Sequence, residues 1–150
     1  MVQMDDVYMR EALKEAKKAF EVDEVPIGCV IVYNKIIIAR GHNLCEKLCD
    51  PTAHAEMQVI TSACSYLNSK YLNKCTMYTT LEPCAMCAGA LFWSKIGRVV
   101  YGARDPKRGA FLLEKNLLHP STKIDGGFLI GECAYLLTSF FEKKRKLKKK

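Results

Sequence analysis

The sequence lacks any hydrophobic run that approaches the roughly 20 residues a membrane-spanning helix needs. Its first twenty residues are charged and amphipathic rather than typical of a secretory signal, so we expect no such signal. No repeat, linker or low-complexity segment interrupts the chain before the basic run at its end. We therefore expect a single domain with a cytoplasmic location and no membrane partner.

The amino-acid composition favours an ordinary globular domain. Hydrophobic residues make up 49% of the 150 residues, enough for a substantial core. The chain has eight cysteines, which without a secretory signal we interpret as reduced thiols rather than a disulfide framework. Cys29, Cys64 and Cys133 fall on apolar stripes, where a free thiol behaves as a small hydrophobic side chain.

The net charge of +7 is concentrated at one end of the chain. Residues 143–150 include seven lysines and arginines, and removing these seven charges leaves the rest of the chain formally neutral. Such a run is usually a solvated end, but it can also attract the phosphates of a nucleic acid. We expect a domain over residues 1–146, followed by a basic tail over residues 147–150.

Hydrophobic periodicity predicts alternating helices and strands. The predicted elements are a helix near 4–21, a hairpin of strands 27–33 and 35–40 around Asn34, a helix carrying His54, a strand at 76–80, a helix carrying Cys84 and Cys87, a strand at 96–101, a short strand around Ile124 and a last helix through Cys133 and Phe141. Strands that alternate with helices imply an α/β sheet covered on both faces.

Two short segments match the H-x-E…P-C-x-x-C signature of zinc nucleobase deaminases. They are His54-Ala55-Glu56 and the run from Pro83 to Cys87. One imidazole and two thiolates suit tetrahedral zinc, and three protein ligands leave a fourth position for water, as in catalytic zinc sites. Glu56 lies close enough to reach that water without binding the metal. The pattern predicts a hydrolytic enzyme.

The spacing of these residues predicts where the metal lies. The two cysteines are three residues apart and share one face of a helix, and Pro83 is typical of a helix's first position. Asp50-Pro51 gives a similar start signal ahead of His54. His54 and Glu56 are only two residues apart, so both reach one centre only near a helix end. We therefore predict zinc between the N-termini of two helices, whose dipoles favour thiolates.

A structural zinc site or a redox cysteine pair is the alternative explanation of C-x-x-C. A closed structural site needs a fourth ligand, and the nearby candidates are poor: Cys75 precedes a strand and Cys64 lies on the apolar face of a helix. A redox pair is expected directly after a strand in a thioredoxin-like pattern. Neither alternative explains Glu56.

Beyond the zinc motif, the chain resembles the cytidine deaminase superfamily and, within it, the bacterial tRNA-specific adenosine deaminases. The resemblance runs from about residue 5 to residue 146. It is carried, in order, by the segments EVPIGCVIV, ARGHN, DPTAHAEM, TLEPCAMCAGAL, KIGRVVYGARDPKRGA and EC…LL…FFEKKR. It implies a three-layer α/β/α fold with a mixed five-stranded sheet, a homodimer, and conversion of adenosine to inosine at the wobble position of a tRNA anticodon loop.

The resemblance also implies roles for individual residues. It assigns one Zn²⁺ per chain to His54, Cys84 and Cys87, and proton transfer to Glu56. It implies that the Asn43 side chain and the backbone N–H of Ala55 contact the purine, and that the pocket wall is formed by Val25, Pro26 and Ile27. It implies that the flanking nucleotides contact Asp105 and Lys107. It also implies that the RNA contacts Phe140, Phe141 and Arg145 on the last helix.

Two departures keep other functions open. The segment 118–124 is shorter than in many family members and lacks their Asn-His-Arg stretch, and Phe92-Trp93 resembles an aromatic pair of guanine deaminases. A deaminase of guanine or another free nucleobase or nucleoside is therefore the main alternative. A non-catalytic zinc-stabilised domain is a third possibility, although it leaves Glu56 unexplained. The basic tail favours RNA, because a free base has no phosphates.

Overall fold

The computed structural model describes residues 2–149. The elements are α1 (Val2–Glu21), β1 (Gly28–Tyr33), β2 (Ile36–His42), α2 (Ala55–Leu67), β3 (Cys75–Leu81), α3 (Ala85–Ser94), β4 (Arg98–Ala103), a 3₁₀ turn (Ala110–Leu112), β5 (Lys123–Gly126) and α4 (Ile130–Lys148). Every helix and strand predicted from the sequence is present.

The five strands form one mixed sheet in the order β2-β1-β3-β4-β5. Strand β1 is antiparallel to both of its neighbours, whereas β3, β4 and β5 run parallel. The hairpin between β1 and β2 turns through Asn34 and Lys35, whose φ angles of 51° and 64° are both positive. Two such residues are typical of a type I′ turn, which matches the twist of the flanking strands.

Helices cover both faces of the sheet, which confirms the three-layer α/β/α fold. The alternation of β1 shows this directly, because its successive side chains point to opposite faces. Cys29 and Ile31 pack in the core that α2 and α3 cover. Val30 and Val32 pack against α1 on the other face, where α4 lies beside α1.

The helices that carry the zinc motif begin later than the sequence signals indicate. Helix α2 begins at Ala55, with His54 as its N-cap, and α3 begins two residues after Pro83. The predicted start at Asp50-Pro51 is wrong: Asp50 Oδ1 instead accepts hydrogen bonds from the backbone N–H (2.8 Å) and hydroxyl (2.7 Å) of Thr52. An aspartate that bonds the backbone two residues on makes a turn.

Helix α4 includes most of the basic run, since it continues to Lys148. Phe140 on this helix is buried, while Phe141 beside it is exposed. The domain boundary expected at residue 146 falls inside the helix and stays a prediction.

All eight cysteines are free thiols, as expected. Among residues 2–149, none of the helices is both long enough and apolar enough to pass through a lipid bilayer.

Candidate active site

His54 and Cys84 are brought together by the starts of two helices. Each is an N-cap residue with an extended backbone, and neither uses its side chain to cap its own helix. Their side chains are therefore available to a common centre. Cys87 joins them from the first turn of α3 and is fully buried.

The three side chains form a compact group with the dimensions of a zinc site. His54 Nδ1 lies 3.7 Å from Cys84 Sγ and 3.4 Å from Cys87 Sγ, and all three ligand atoms lie within 4.8 Å of one another. Tetrahedral zinc with ordinary Zn–S and Zn–N bond lengths separates nitrogen from sulfur by about 3.6 Å. The group therefore fits zinc. Within residues 2–149 it has no fourth His, Cys, Asp or Glu, which agrees with an open catalytic site.

The electrostatics of the cluster also suit a cation. The hydrogen bond from the Cys87 thiol lowers the pKa of Cys84 to about 4. The same hydrogen bond, together with burial, raises the pKa of Cys87. The pKa of His54 is raised, chiefly by its hydrogen bond with Cys84. The cluster thus favours the thiolate form of Cys84, and a bound divalent ion would displace the remaining thiol proton.

Glu56 lies beside this cluster in the first turn of α2. Its side chain is only 3% exposed, and burial raises its pKa to about 7. Its Oε1 atom is buried without a hydrogen-bond partner among the described residues. A carboxyl group with a near-neutral pKa and an unpaired oxygen can take up and release a proton, as a general acid–base catalyst must.

A cavity of about 560 Å³ opens over the cluster. Its lining includes the predicted residues Ile27, His54, Glu56, Cys84, Asp105 and Lys107. Eight further lining residues were missed: Leu81, Glu82, Ala85, Met86, Arg108, Gly109, Leu112 and Leu113. Four of these lie between residues 102 and 127, where the sequence has no helix or strand periodicity to show which side chains face inward.

The residues predicted to hold the purine occupy mixed positions. Ala55 is buried at the start of α2, where backbone N–H groups lack partners within the helix. Asn43 is 6% exposed, and its Oδ1 accepts a hydrogen bond from the Cys45 thiol at 3.0 Å. Asn43 is not among the residues lining the cavity. Pro26 is buried and also lies outside this lining.

A second cavity of about 650 Å³ runs from the first cavity to α4. The two share several residues, among them Ile27, Asp105 and Lys107. The second also includes the predicted residues Val25, Phe141 and Arg145. Its lining also contains Arg104 and Arg108, together with Lys144 and Lys148 from the basic run. A positively charged groove thus leads away from the candidate metal centre.

The features that departed from the family pattern lie elsewhere. Phe92, Trp93 and His119 line a third cavity, which contains none of the candidate metal ligands. The ring of Phe92 packs against those of Trp93 and His119. Neither the aromatic pair nor the shortened segment therefore contributes to the lining of the catalytic cavity.

The fold and the His–Cys–Cys site with its buried glutamate define a zinc-dependent deaminase. The family model of the cytidine and deoxycytidylate deaminase zinc-binding region matches residues 2–103. The chain belongs to this family and, within it, to the tRNA-specific adenosine deaminases. A tRNA-specific adenosine deaminase of Bacillus subtilis strain 168 is 49% identical over 150 residues, covering 97% of this chain and 93% of the relative.

Solved structures agree with this assignment. One from a study of A-to-I editing by tRNA:A34 deaminases at the wobble position superimposes with a TM-score of 0.81 at 43% identity, covering 87% of this chain and 98% of that chain. A guanine deaminase of Bacillus subtilis superimposes with a TM-score of 0.63 at 38% identity, but the match covers only 65% of this chain and 63% of that chain. The guanine deaminase alternative is not favoured.

Proposed function

We propose that this protein converts adenosine to inosine at the wobble position of a tRNA anticodon loop, using one zinc ion per chain. The observation that carries the proposal is that the candidate catalytic cavity continues into a positively charged groove. The buried carboxyl group of Glu56 lines one cavity together with the candidate ligands His54 and Cys84, and that cavity opens into a groove lined by arginines and lysines. The cavity supports hydrolytic deamination, and the groove supports a substrate that carries phosphates.

The chain's own residues divide the chemistry between binding a metal and moving protons. His54, Cys84 and Cys87 would hold zinc, which when bound lowers the pKa of water and so supplies a nucleophile at neutral pH. Glu56 accepts a proton from the attacking water and passes it to the purine ring. A second proton transfer through Glu56 releases the 6-amino group as ammonia. The balance is adenosine plus water giving inosine plus ammonia.

The base would be held on the side of the cavity formed by Ile27 and the start of α2. We assign the purine contacts to the Asn43 side chain and the Ala55 N–H, and the pocket wall to Val25, Pro26 and Ile27. Asn43 would have to exchange its hydrogen bond with Cys45 or use its free amide group to reach the base. A loop nucleotide is already partly unstacked, so swinging its base into the cavity costs less than extrusion from a duplex.

The nucleotides on either side of the target would lie in the groove beside α4. We assign these contacts to Asp105, Lys107, Phe141 and Arg145, with the basic run extending the attraction for phosphates. An exposed aromatic ring such as Phe141 offers a stacking surface for an unpaired base. The tail at 147–150 would add charge without belonging to the catalytic domain.

We also propose that the protein acts as a homodimer in the cytoplasm. Support for a second copy comes from Trp93 on α3, whose side chain is 77% exposed next to the ring of Phe92. A large aromatic residue of this kind is common at protein–protein interfaces. The cytoplasmic location follows from the proposed substrate.

The test compares substrates for the purified protein. An anticodon stem-loop with adenosine at the wobble position should react at least about 100-fold faster than free adenosine, because the flanking nucleotides supply binding energy that positions the base. Inosine formation is measured by mass spectrometry. The matched control is the same stem-loop with its adenosine moved into the stem, which should not react. Faster turnover of guanine than of the stem-loop would overturn the proposal.

A further inference from the structure

Two loops assigned to substrate binding are each attached to the body of the protein through a buried glutamate. Glu82 follows β3 and is 3% exposed. Its Oε1 accepts a hydrogen bond from the backbone N–H of Asp105 at 3.1 Å, and its Oε2 accepts one from Phe111 at 3.0 Å. One carboxylate thus connects both ends of the 105–111 loop.

The 105–111 loop is shaped around that carboxylate. A side-chain carbon at Gly109 would overlap the Glu82 carboxylate and lie 2.6 Å from the carbonyl oxygen of Asp105. Asp105 Oδ1 in turn accepts the N–H groups of Lys107 and Arg108, each at 3.0 Å. The result is a tight loop that presents Lys107 and Arg108 to both cavities.

Glu24 makes the corresponding contacts to the loop that follows Asn43. It is 1% exposed, and its two oxygens accept the backbone N–H groups of Glu46 at 3.0 Å and Lys47 at 2.7 Å. These bonds join the segment that leads into β1 to the loop that follows Asn43. The same two segments meet again where the Asn43 N–H donates to the carbonyl of Ile27 at 3.2 Å.

Neither glutamate forms an ion pair with a residue in the described chain. Burying a charge is costly, so the four N–H groups are what stabilises these two carboxylates. A glutamine could not replace either one. Its amide has a single acceptor oxygen, and its NH₂ group would face the second N–H donor-to-donor.

We propose that Glu24 and Glu82 are positioning residues, each of which fixes one substrate-binding loop independently of the other. Glu82 holds the loop assigned to the flanking nucleotides, and Glu24 holds the loop assigned to the target base. The proposal rests on the proposed function for its kinetic part only. Its structural part can be tested without any substrate.

The first experiment measures backbone hydrogen exchange in Glu82→Gln and Glu24→Gln. Glu82→Gln should speed exchange at Asp105 and Phe111 by about tenfold or more, since these amides lose a charge-assisted hydrogen bond, and leave Glu46 and Lys47 unchanged. Glu24→Gln should do the reverse. Each variant is therefore the control for the other.

The second experiment measures deamination of the anticodon stem-loop. Glu82→Gln should raise KM about tenfold and change kcat much less, because the 105–111 loop contributes binding to the flanking nucleotides. Glu24→Gln should instead lower kcat about tenfold, since it loosens the loop that orients the base. Zinc content is measured in parallel and should stay equal to that of the wild type.

The matched control for burial alone is Glu15→Gln. Glu15 is a nearly buried glutamate on α1 that pairs with Lys18 at 2.7 Å, away from both loops. This variant should change neither loop's exchange nor KM.

If Glu82→Gln fails to fold, Gly109→Ala should reproduce its phenotype by pushing the carboxylate aside. If Glu24→Gln fails to fold, Glu24→Asp should reproduce its effect, because the shorter side chain places the carboxylate one carbon further from the two N–H groups.

Three outcomes would overturn the inference. The first is an equal increase in hydrogen exchange in both loops after either substitution. The second is unchanged exchange in the loop that the mutated glutamate contacts. The third is a change in KM or kcat in Glu15→Gln equal to that in Glu82→Gln or Glu24→Gln. Failure of the proposed function is distinguishable from these, because it would show as an inactive wild type whose exchange pattern still responds to the two substitutions as described.

Discussion

At the scale of single residues, His54 and Cys84 stand where a helix normally has a capping side chain. Both leave their own helix uncapped and turn towards the metal centre. The H-x-E…P-C-x-x-C pattern predicted both as metal ligands, and the structure brings their side chains together with that of Cys87. The sequence could not predict the partner of Asn43, since the Cys45 thiol reaches that amide only through the shape of an irregular loop.

Replacing Glu56 with alanine tests the separation of metal binding from proton transfer. Deamination of the stem-loop should fall by about 10²- to 10⁴-fold, the usual contribution of a general acid–base group. Zinc content, measured by inductively coupled plasma mass spectrometry, should stay stoichiometric because Glu56 is not a ligand. The structural control is Glu15→Gln, which should retain activity. Loss of zinc from the Glu56 variant would show that its role is assigned wrongly.

At the scale of helices and strands, the sequence predicted which elements exist better than where they begin. The β1–β2 hairpin follows from its β-branched runs around Asn34, which are local signals. The starts of α2 and α3 were misplaced, because Asp50 and Pro83 shape the turns that lead into the helices rather than the helices themselves. The shape of the 105–111 loop had no signal in the periodicity of the sequence, since it depends on Glu82, more than twenty residues earlier.

Helix α4 provides the prediction that belongs to this scale. Ending the chain after Arg145 removes four lysines, three of them within residues 2–149. RNA binding should weaken. The slope of the logarithm of the binding constant against the logarithm of the salt concentration should become shallower by about 0.7 for each single-strand phosphate that the shortened chain no longer neutralises. The measurement is binding of the stem-loop by fluorescence anisotropy at several salt concentrations.

The matched control for the truncation keeps the length of the helix. Replacing Lys146, Lys148 and Lys149 with glutamine should reproduce most of the change in slope, because the effect depends on charge. If the truncated protein binds with an unchanged salt dependence, the basic run is only a solvated end. Zinc content should be unaffected in both variants.

At the scale of the whole molecule, one ionic network joins α1 to three strands. Both carboxylate oxygens of Asp5 accept hydrogen bonds from the Arg98 guanidinium at 2.8 Å, and Oδ1 also accepts one from the Tyr78 hydroxyl at 2.6 Å. Arg98 also bonds Asp125 on β5 at 2.8 Å. The hydrogen bonds from Arg98 are the largest cause of the lowered pKa of Asp5.

The lowered pKa of Asp5 predicts how stability depends on pH. The Asp5 carboxylate binds its proton less readily in the folded state, so its contribution to the free energy of unfolding is complete above its ordinary pKa of about 3.8. The contribution is lost as the pH falls through the lower, folded-state pKa. At pH 7, Asp5→Asn should reduce the free energy of unfolding by about 1–2 kcal/mol. Urea unfolding followed by circular dichroism measures both effects.

The comparison at acid pH identifies the source of that stability. The difference between wild type and Asp5→Asn should shrink as the pH falls below about 4, because Asp5 is protonated first in the unfolded chain and then, at its lower pKa, in the folded protein. Glu11→Gln is the control on the same helix, at a carboxylate that contacts Lys14 and Arg40 instead. A difference that stays constant between pH 7 and pH 3 would contradict the assignment to Asp5.

The order of the elements along the chain has a consequence for synthesis. All three candidate ligands, and the strands and helices that place them, lie before residue 95, whereas the basic helix α4 begins at Ile130. Chains emerge from the ribosome N-terminus first, and folding can proceed in that order. A nascent chain therefore exposes all three candidate ligands before its basic helix has been synthesised, so an ion can be acquired before that positive charge meets the abundant RNA of the ribosome itself.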